Sequence, residues 1–72
     1  MPSFIVNRNA QDNGDHEVHN TTTGCNFMPN RENQVDLGTH PNCQSAVADA
    51  KRRWPNNRIN GCYWCANACH TT

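Results

Sequence analysis

The sequence predicts a small α+β domain from three patterns along its 72 residues. β-preferring residues on both sides of an Asn-Gly pair indicate an opening hairpin, apolar residues at helical spacing indicate one helix, and a Cys-x2-Cys pair indicates a C-terminal knuckle. A chain of this length forms one hydrophobic core at most, so residues 1–72 are predicted to be a single domain.

The hairpin prediction rests on residues 4–20. Residues 4–6, Phe-Ile-Val, favour a strand, Asn13-Gly14 favours a tight turn, and residues 16–20 form the predicted return strand. Residues 34–37 alternate polar and apolar side chains, which indicates a short third strand.

The helix is predicted to follow Asn42, which suits the N-cap position. Pro55 disfavours helical backbone in the residue before it, so the helix should end near Arg53. Residues 56–61 are rich in Asn and end in Gly, so we interpret them as a turn-rich link. The apolar positions that repeat at helical spacing are Cys43, Val47, Ala50 and Trp54.

A domain this small usually needs a metal, disulfides or oligomerisation to be stable. The chain has five cysteines, and an odd number excludes complete intramolecular pairing. The N-terminal residues contain no apolar run typical of a signal peptide or a membrane span. These observations predict a cytoplasmic protein, in whose reducing compartment clustered cysteines more often bind metal.

Cys62 and Cys65 form the strongest chemical signal, because a Cys-x2-Cys spacing lets two thiolates reach one ion. Cys25 lies between Gly24 and Asn26, a loop context that suits a third ligand. Zinc in structural sites normally takes four protein ligands. The sequence therefore predicts a zinc site built on these three cysteines.

The fourth ligand has three candidates, His19, Cys69 and His70. His19 is favoured because it lies closest in sequence to Cys25. Residues three apart in a regular strand point to opposite faces, so His16 and His19 cannot both bind the same ion.

Other chemistries fit these residues less well. A thioredoxin-like redox site needs a long helix after its Cys-x2-Cys, and only seven residues follow Cys65. An iron–sulfur cluster on Cys25, Cys62, Cys65 and Cys69 would depart from ferredoxin spacing. The segment His16-Glu17-Val18-His19 lacks the spacing of a metalloprotease, and Cys43 is interpreted as a small buried apolar residue.

The formal charge is zero, which excludes a global field that attracts nucleic acid or anionic membrane. A weak candidate patch for a nucleic-acid partner consists of Lys51, Arg52, Arg53 and Arg58. Cations in a last helical turn also interact favourably with the helix dipole, and Asp49 can pair with Arg53 at i,i+4. The patch is therefore interpreted mainly as a solvated helix end, and no membrane contact is predicted.

The order of these features resembles the zinc-binding domain at the start of the Ada DNA-repair protein, which is also attached to various bacterial nucleases. The shared features are an opening hairpin, His19 shortly before Cys25, an apolar strand, a helix, and the closing Cys62-x2-Cys65. The resemblance implies a zinc-bound α+β fold. Ada itself uses four cysteines and transfers a methyl group to one of them, whereas His19 would occupy the fourth position here.

The C-terminal Gly-Cys-Tyr-Trp-Cys and Cys-His-Thr segments are also similar to those of small uncharacterised bacterial proteins. This likeness implies no function. We therefore expect a zinc-stabilised binding module that engages a protein or nucleic acid, and enzymatic activity is not predicted. The alternative is a reactive zinc-thiolate protein, either an alkyl acceptor or a redox sensor.

Overall fold

The computed structural model describes residues 1–12 and 14–71. Four strands and one helix make up the described chain, and the predicted α+β class is confirmed. Two short 3-10 helices, at Arg31–Asn33 and Asn67–Cys69, complete it. The main elements are β1 Ser3–Asn7, β2 Asp15–Asn20, β3 Gln34–Thr39, α1 Cys43–Arg53 and β4 Arg58–Gly61.

The strands form one sheet in the order β3-β1-β2-β4. β1 pairs antiparallel with β2, with Ile5 opposite His19, and antiparallel with β3, with Val6 opposite Val35. In the predicted hairpin turn, Gly14 has a φ of 89°, which suits glycine, and Asn13 lies outside the described residues.

β4 corrects the prediction for residues 56–61. We expected a turn-rich link, but Arg58–Gly61 is a strand that pairs in parallel with β2. The side chain of Asn60 is buried and donates to Asp15 Oδ2 at 3.2 Å, while its Oδ1 accepts from the Thr71 N–H at 3.1 Å. Long-range pairing and these side-chain bonds override the weak strand preference of asparagine.

Helix α1 covers one face of the sheet. Ala46 and Ala50 are fully buried against the apolar side chains of β1 and β2, which include Phe4 and Val18. Small residues on the helix let its backbone approach the sheet closely. His19 lies on the opposite face of β2, where it meets the segments that contain Cys25, Cys62 and Cys65.

The helix boundaries follow the predicted signals. The Asn42 side chain accepts from the Ser45 N–H at 2.9 Å, and the helix ends at Arg53 before Trp54-Pro55. Among residues 1–12 and 14–71, the structure contains no helix with the length and apolar character needed to cross a membrane.

A disulfide joins the start of α1 to the C-terminal segment. Cys43 Sγ is bonded to Cys69 Sγ across a sequence separation of 26 residues. Cys43 is buried, as expected, but it is not the free apolar cysteine predicted from the sequence. An odd number of cysteines excludes complete pairing and still allows one disulfide. The bond anchors the segment that follows Cys62 and Cys65 against the helix.

Replacing both disulfide cysteines by serine should lower the free energy of unfolding by about 3 kcal/mol, because the bridge restricts a long loop in the unfolded chain. Chemical denaturation in zinc-containing buffer, with the wild-type protein as reference, measures this loss. An unchanged denaturation midpoint would contradict the stabilising role of the bridge.

Candidate metal centre

The last residues of β2 place His19 in the interior. Alternation along the strand directs His19 to the face opposite Val18, and both side chains are fully buried. Its Nδ1 lies 3.7 Å from Cys25 Sγ and 3.5 Å from Cys65 Sγ. The strand thus delivers one imidazole nitrogen directly to two thiols.

Asn20 organises the loop that delivers Cys25. Its Oδ1 accepts from the N–H groups of Thr22 and Thr23, at 3.0 and 3.2 Å, and its carbonyl oxygen accepts from the Gly24 N–H at 2.8 Å. Gly24 has a φ of 69°, a conformation that side-chain-bearing residues rarely adopt. This turn returns the chain so that Cys25 faces His19.

Residues 62–65 form the predicted knuckle. The Trp64 N–H points to Cys62 Sγ at 3.4 Å, and the Asn20 N–H points to Cys65 Sγ at 3.3 Å. Backbone N–H donors of this kind stabilise thiolate charge.

Gly61 lets the knuckle pack closely. A Cβ at Gly61 would lie 2.6 Å from Cys69 Cβ and 2.7 Å from the Ala66 carbonyl oxygen. Contacts that short would force the backbone to shift. Glycine is therefore required immediately before Cys62.

Four potential ligand atoms, one each from His19, Cys25, Cys62 and Cys65, lie within 4.8 Å of one another. Cys25 Sγ and Cys62 Sγ are 3.8 Å apart. Tetrahedral zinc, with Zn–S near 2.3 Å and Zn–N near 2.0–2.1 Å, separates its ligand atoms by about 3.5–3.8 Å. The three separations of 3.5, 3.7 and 3.8 Å therefore match those around one tetrahedral ion.

Burial sets the protonation of the metal-free site. Desolvation raises the pKa of Cys62 and Cys65, so both sulfurs remain thiols at neutral pH without a cation. Desolvation also lowers the pKa of His19, which keeps its imidazole neutral. A metal must displace thiol protons to bind, so its affinity should increase as pH rises.

Glu17 is a site residue that the sequence analysis missed. His19 Nε2 is buried without a hydrogen-bond partner among the described residues, but Glu17 Oε1 lies 3.8 Å away. Metal-bound histidines commonly direct the other ring nitrogen to a carboxylate, which fixes the tautomer and strengthens the ligand. Residues two apart in a strand share a face, so the sequence already places Glu17 on the same face of β2 as His19.

Glu17→Gln should weaken metal binding by about 10- to 100-fold, because the outer partner of the histidine ligand loses its charge. Competition with a chromophoric zinc chelator measures the change. Glu32→Gln is the matched control at an exposed carboxylate. Equal affinities of the Glu17 and Glu32 variants would contradict a role for Glu17 at the site.

The alternative fourth ligands lie outside the cluster. Cys69 is bonded to Cys43, and His70 Nδ1 lies 3.0 Å from the Gly61 carbonyl oxygen. His16 Nδ1 lies 3.0 Å from the Asn7 carbonyl oxygen. The structure therefore brings together His19 and the three unpaired cysteines, but not these other candidates.

Most of the basic residues predicted to form a patch are paired with carboxylates of this chain. Asp49 pairs with Arg52 and Arg53, at 3.3 and 3.1 Å. Arg58 pairs with the buried Asp15 at 2.9 Å. Three of the four predicted cations therefore already have carboxylate partners within the chain, which weakens this surface as a phosphate site.

Exposed aromatic rings flank the cluster. Phe27 and Trp64 stack with ring centroids 5.6 Å apart, and Tyr63 meets Trp64 edge to face at 4.9 Å. Phe27 follows Cys25 by two residues, and Trp64 directly precedes Cys65. The stack therefore joins the two segments that carry the cysteines.

Comparison of the chain with protein families, curated proteins and solved structures gave no match. The geometry of the cysteine–histidine cluster is therefore the main indication of function.

Proposed function

We propose that this protein is a zinc-stabilised binding module in which one ion is held by His19, Cys25, Cys62 and Cys65. The supporting observation is that three separate segments place four ligand atoms within 4.8 Å of one another. Three soft thiolates and one imidazole favour zinc, and a set without an open position is typical of a structural site. Zinc would tie β2, its following loop and the knuckle together.

We propose a bacterial Ada-like domain that engages a protein or nucleic acid through an exposed surface. The Cys43–Cys69 disulfide argues against the cytoplasmic location expected from the sequence, because disulfides rarely persist in a reducing compartment. Zero formal charge favours recognition by shape and apolar contact over phosphate attraction.

Mass spectrometry of purified protein tests the zinc proposal. Native spectra should show one zinc per chain, and denaturing spectra should show the mass loss of one disulfide. Cobalt substitution should give the absorption bands of a tetrahedral thiolate site. Absence of zinc in chelator-free samples, or a second disulfide among Cys25, Cys62 and Cys65, would refute the proposal.

A second candidate, a reactive zinc-thiolate, is favoured by the exposure of Cys25. Its side chain lines an open surface depression of about 450 Å³ together with Phe27 and Trp64, whereas Cys62 is 1% exposed. The Cys25 thiolate would attack an alkyl carbon, form a C–S bond and expel the leaving group with its electron pair.

Iodoacetamide treatment of the zinc-loaded protein distinguishes the two candidates. An alkyl acceptor should be modified at Cys25 before Cys62 or Cys65, with release of iodide. A purely structural site should protect all three cysteines until a chelator removes the metal. Peptide mapping locates the modified residue.

A further inference from the structure

The helix leaves part of its sheet face uncovered. Strand pairing places Val6 opposite Val35 and Val18, and places His16 opposite Ile59, so these side chains share the face on which α1 packs. The helix ends at Arg53, and Trp54, the next residue, lines the cavity at this end of the sheet.

A cavity of about 340 Å³ occupies this uncovered end. Small-molecule sites usually fall at or above about 300 Å³ and combine apolar walls with few polar groups. Among the described residues that line the cavity, none carries a carboxylate. Its apolar walls are Val6, Val35, Trp54 and Ile59.

The basic side chains of Arg8 and His16 lie at the same cavity. His16 Nδ1 faces the Asn7 carbonyl oxygen at 3.0 Å, so it carries the proton, and Nε2 has no hydrogen-bond partner among the described residues. The guanidinium of Arg8 likewise has no ion-pair or hydrogen-bond partner in the described chain. This cation therefore lies beside a largely apolar cavity in which the described lining residues supply no anion.

We propose that this cavity binds a small monocarboxylate with an apolar body, such as an arylacetate or a branched-chain acid. The apolar body would contact Val35, Ile59 and Trp54. The carboxylate would accept hydrogen bonds from Arg8 at the cavity entrance, where a guanidinium matches carboxylate geometry. The site is separate from the cysteine–histidine cluster, and its occupancy does not depend on the proposed zinc function.

Titration of the full-length, disulfide-intact protein with phenylacetate, followed by amide NMR shifts, tests the proposal. A ligand of this size should bind with a Kd of about 1–10 mM. Shifts should concentrate at the cavity residues. The uncharged analogue phenylacetamide should bind about fivefold more weakly, since the contribution of an exposed ion pair is modest.

Matched variants separate the carboxylate contact from the apolar contact. Arg8→Gln should weaken phenylacetate binding about fivefold and leave phenylacetamide binding unchanged, while Arg31→Gln should alter neither. Trp54→Ala should weaken binding of both compounds, and Trp64→Ala should not. Arg8→Gln changes an exposed side chain, so it remains informative even if Trp54→Ala fails to fold.

Three results would overturn the proposal. One is the absence of shifts at cavity residues up to about 10 mM phenylacetate, the weak limit expected for such a ligand. Another is equal affinity for the acid and its amide. The third is an equal response to the Arg8 and Arg31 substitutions.

Discussion

Removal of the metal is expected to unfold the protein. A structural zinc site contributes about 10–16 kcal/mol of apparent binding free energy near neutral pH, which is comparable to the whole stability of a small domain. Without the ion, the Cys25 loop meets the knuckle through the Cys25–Cys62 thiol contact and the stack of Phe27 on Trp64. The remaining disulfide adds about 3 kcal/mol, too little to compensate.

Amide NMR before and after addition of a chelator measures this effect. The dispersed spectrum of the zinc-loaded protein should collapse to the narrow range of an unfolded chain, and added zinc should restore it. The same chelator presaturated with zinc is the control. Persistent dispersion after verified metal removal would contradict a structural role for the ion.

His19→Ala is expected to weaken metal binding by about 100- to 1,000-fold, because one of four ligands contributes roughly a quarter of the binding free energy. His16→Ala should have little effect on affinity, because its ring contacts Asn7 on the other face of β2. Both histidines belong to β2, so the His16 variant is a control for a general loss of strand stability.

Competition titrations with a zinc chelator measure both affinities, and cobalt spectra report the ligand set. Loss of the imidazole should shift the cobalt bands only in the His19 variant. Equal losses in both variants would contradict the strand geometry. If neither variant lost affinity, the fourth ligand would have to be Cys69 or His70, which would then have to move into the site.

Local patterns were sufficient to predict much of this architecture. Asn42 and Pro55 marked the two ends of the helix, because capping and proline sterics act within a few residues. The Cys62-x2-Cys65 spacing predicted a knuckle for the same reason. Proximity to Cys25 favoured His19, and strand alternation excluded His16 as a second histidine ligand. The structure brings His19 together with the three predicted cysteines.

Features that depend on distant contacts were not predictable in this way. The strand at Arg58–Gly61 forms through pairing with β2 and through the buried bonds of Asn60. The partner of Cys43 could not be deduced, because spacing alone does not determine disulfide connectivity. The role of Glu17 depends on the direction of the His19 ring, which places Nε2 3.8 Å from Glu17 Oε1 and which the sequence alone does not determine.

The parallel pairing of β2 with β4 affects how the chain can fold during synthesis. His19 and Cys65 are 46 residues apart, and at about 5–20 residues per second the ribosome adds that segment in roughly 2–9 s. For most of this interval β2 lacks its outer neighbour, and Cys25 lacks Cys62 and Cys65. A nascent chain therefore carries an exposed strand edge and free thiols until the knuckle emerges, which makes this the period of greatest risk for misfolding or thiol oxidation.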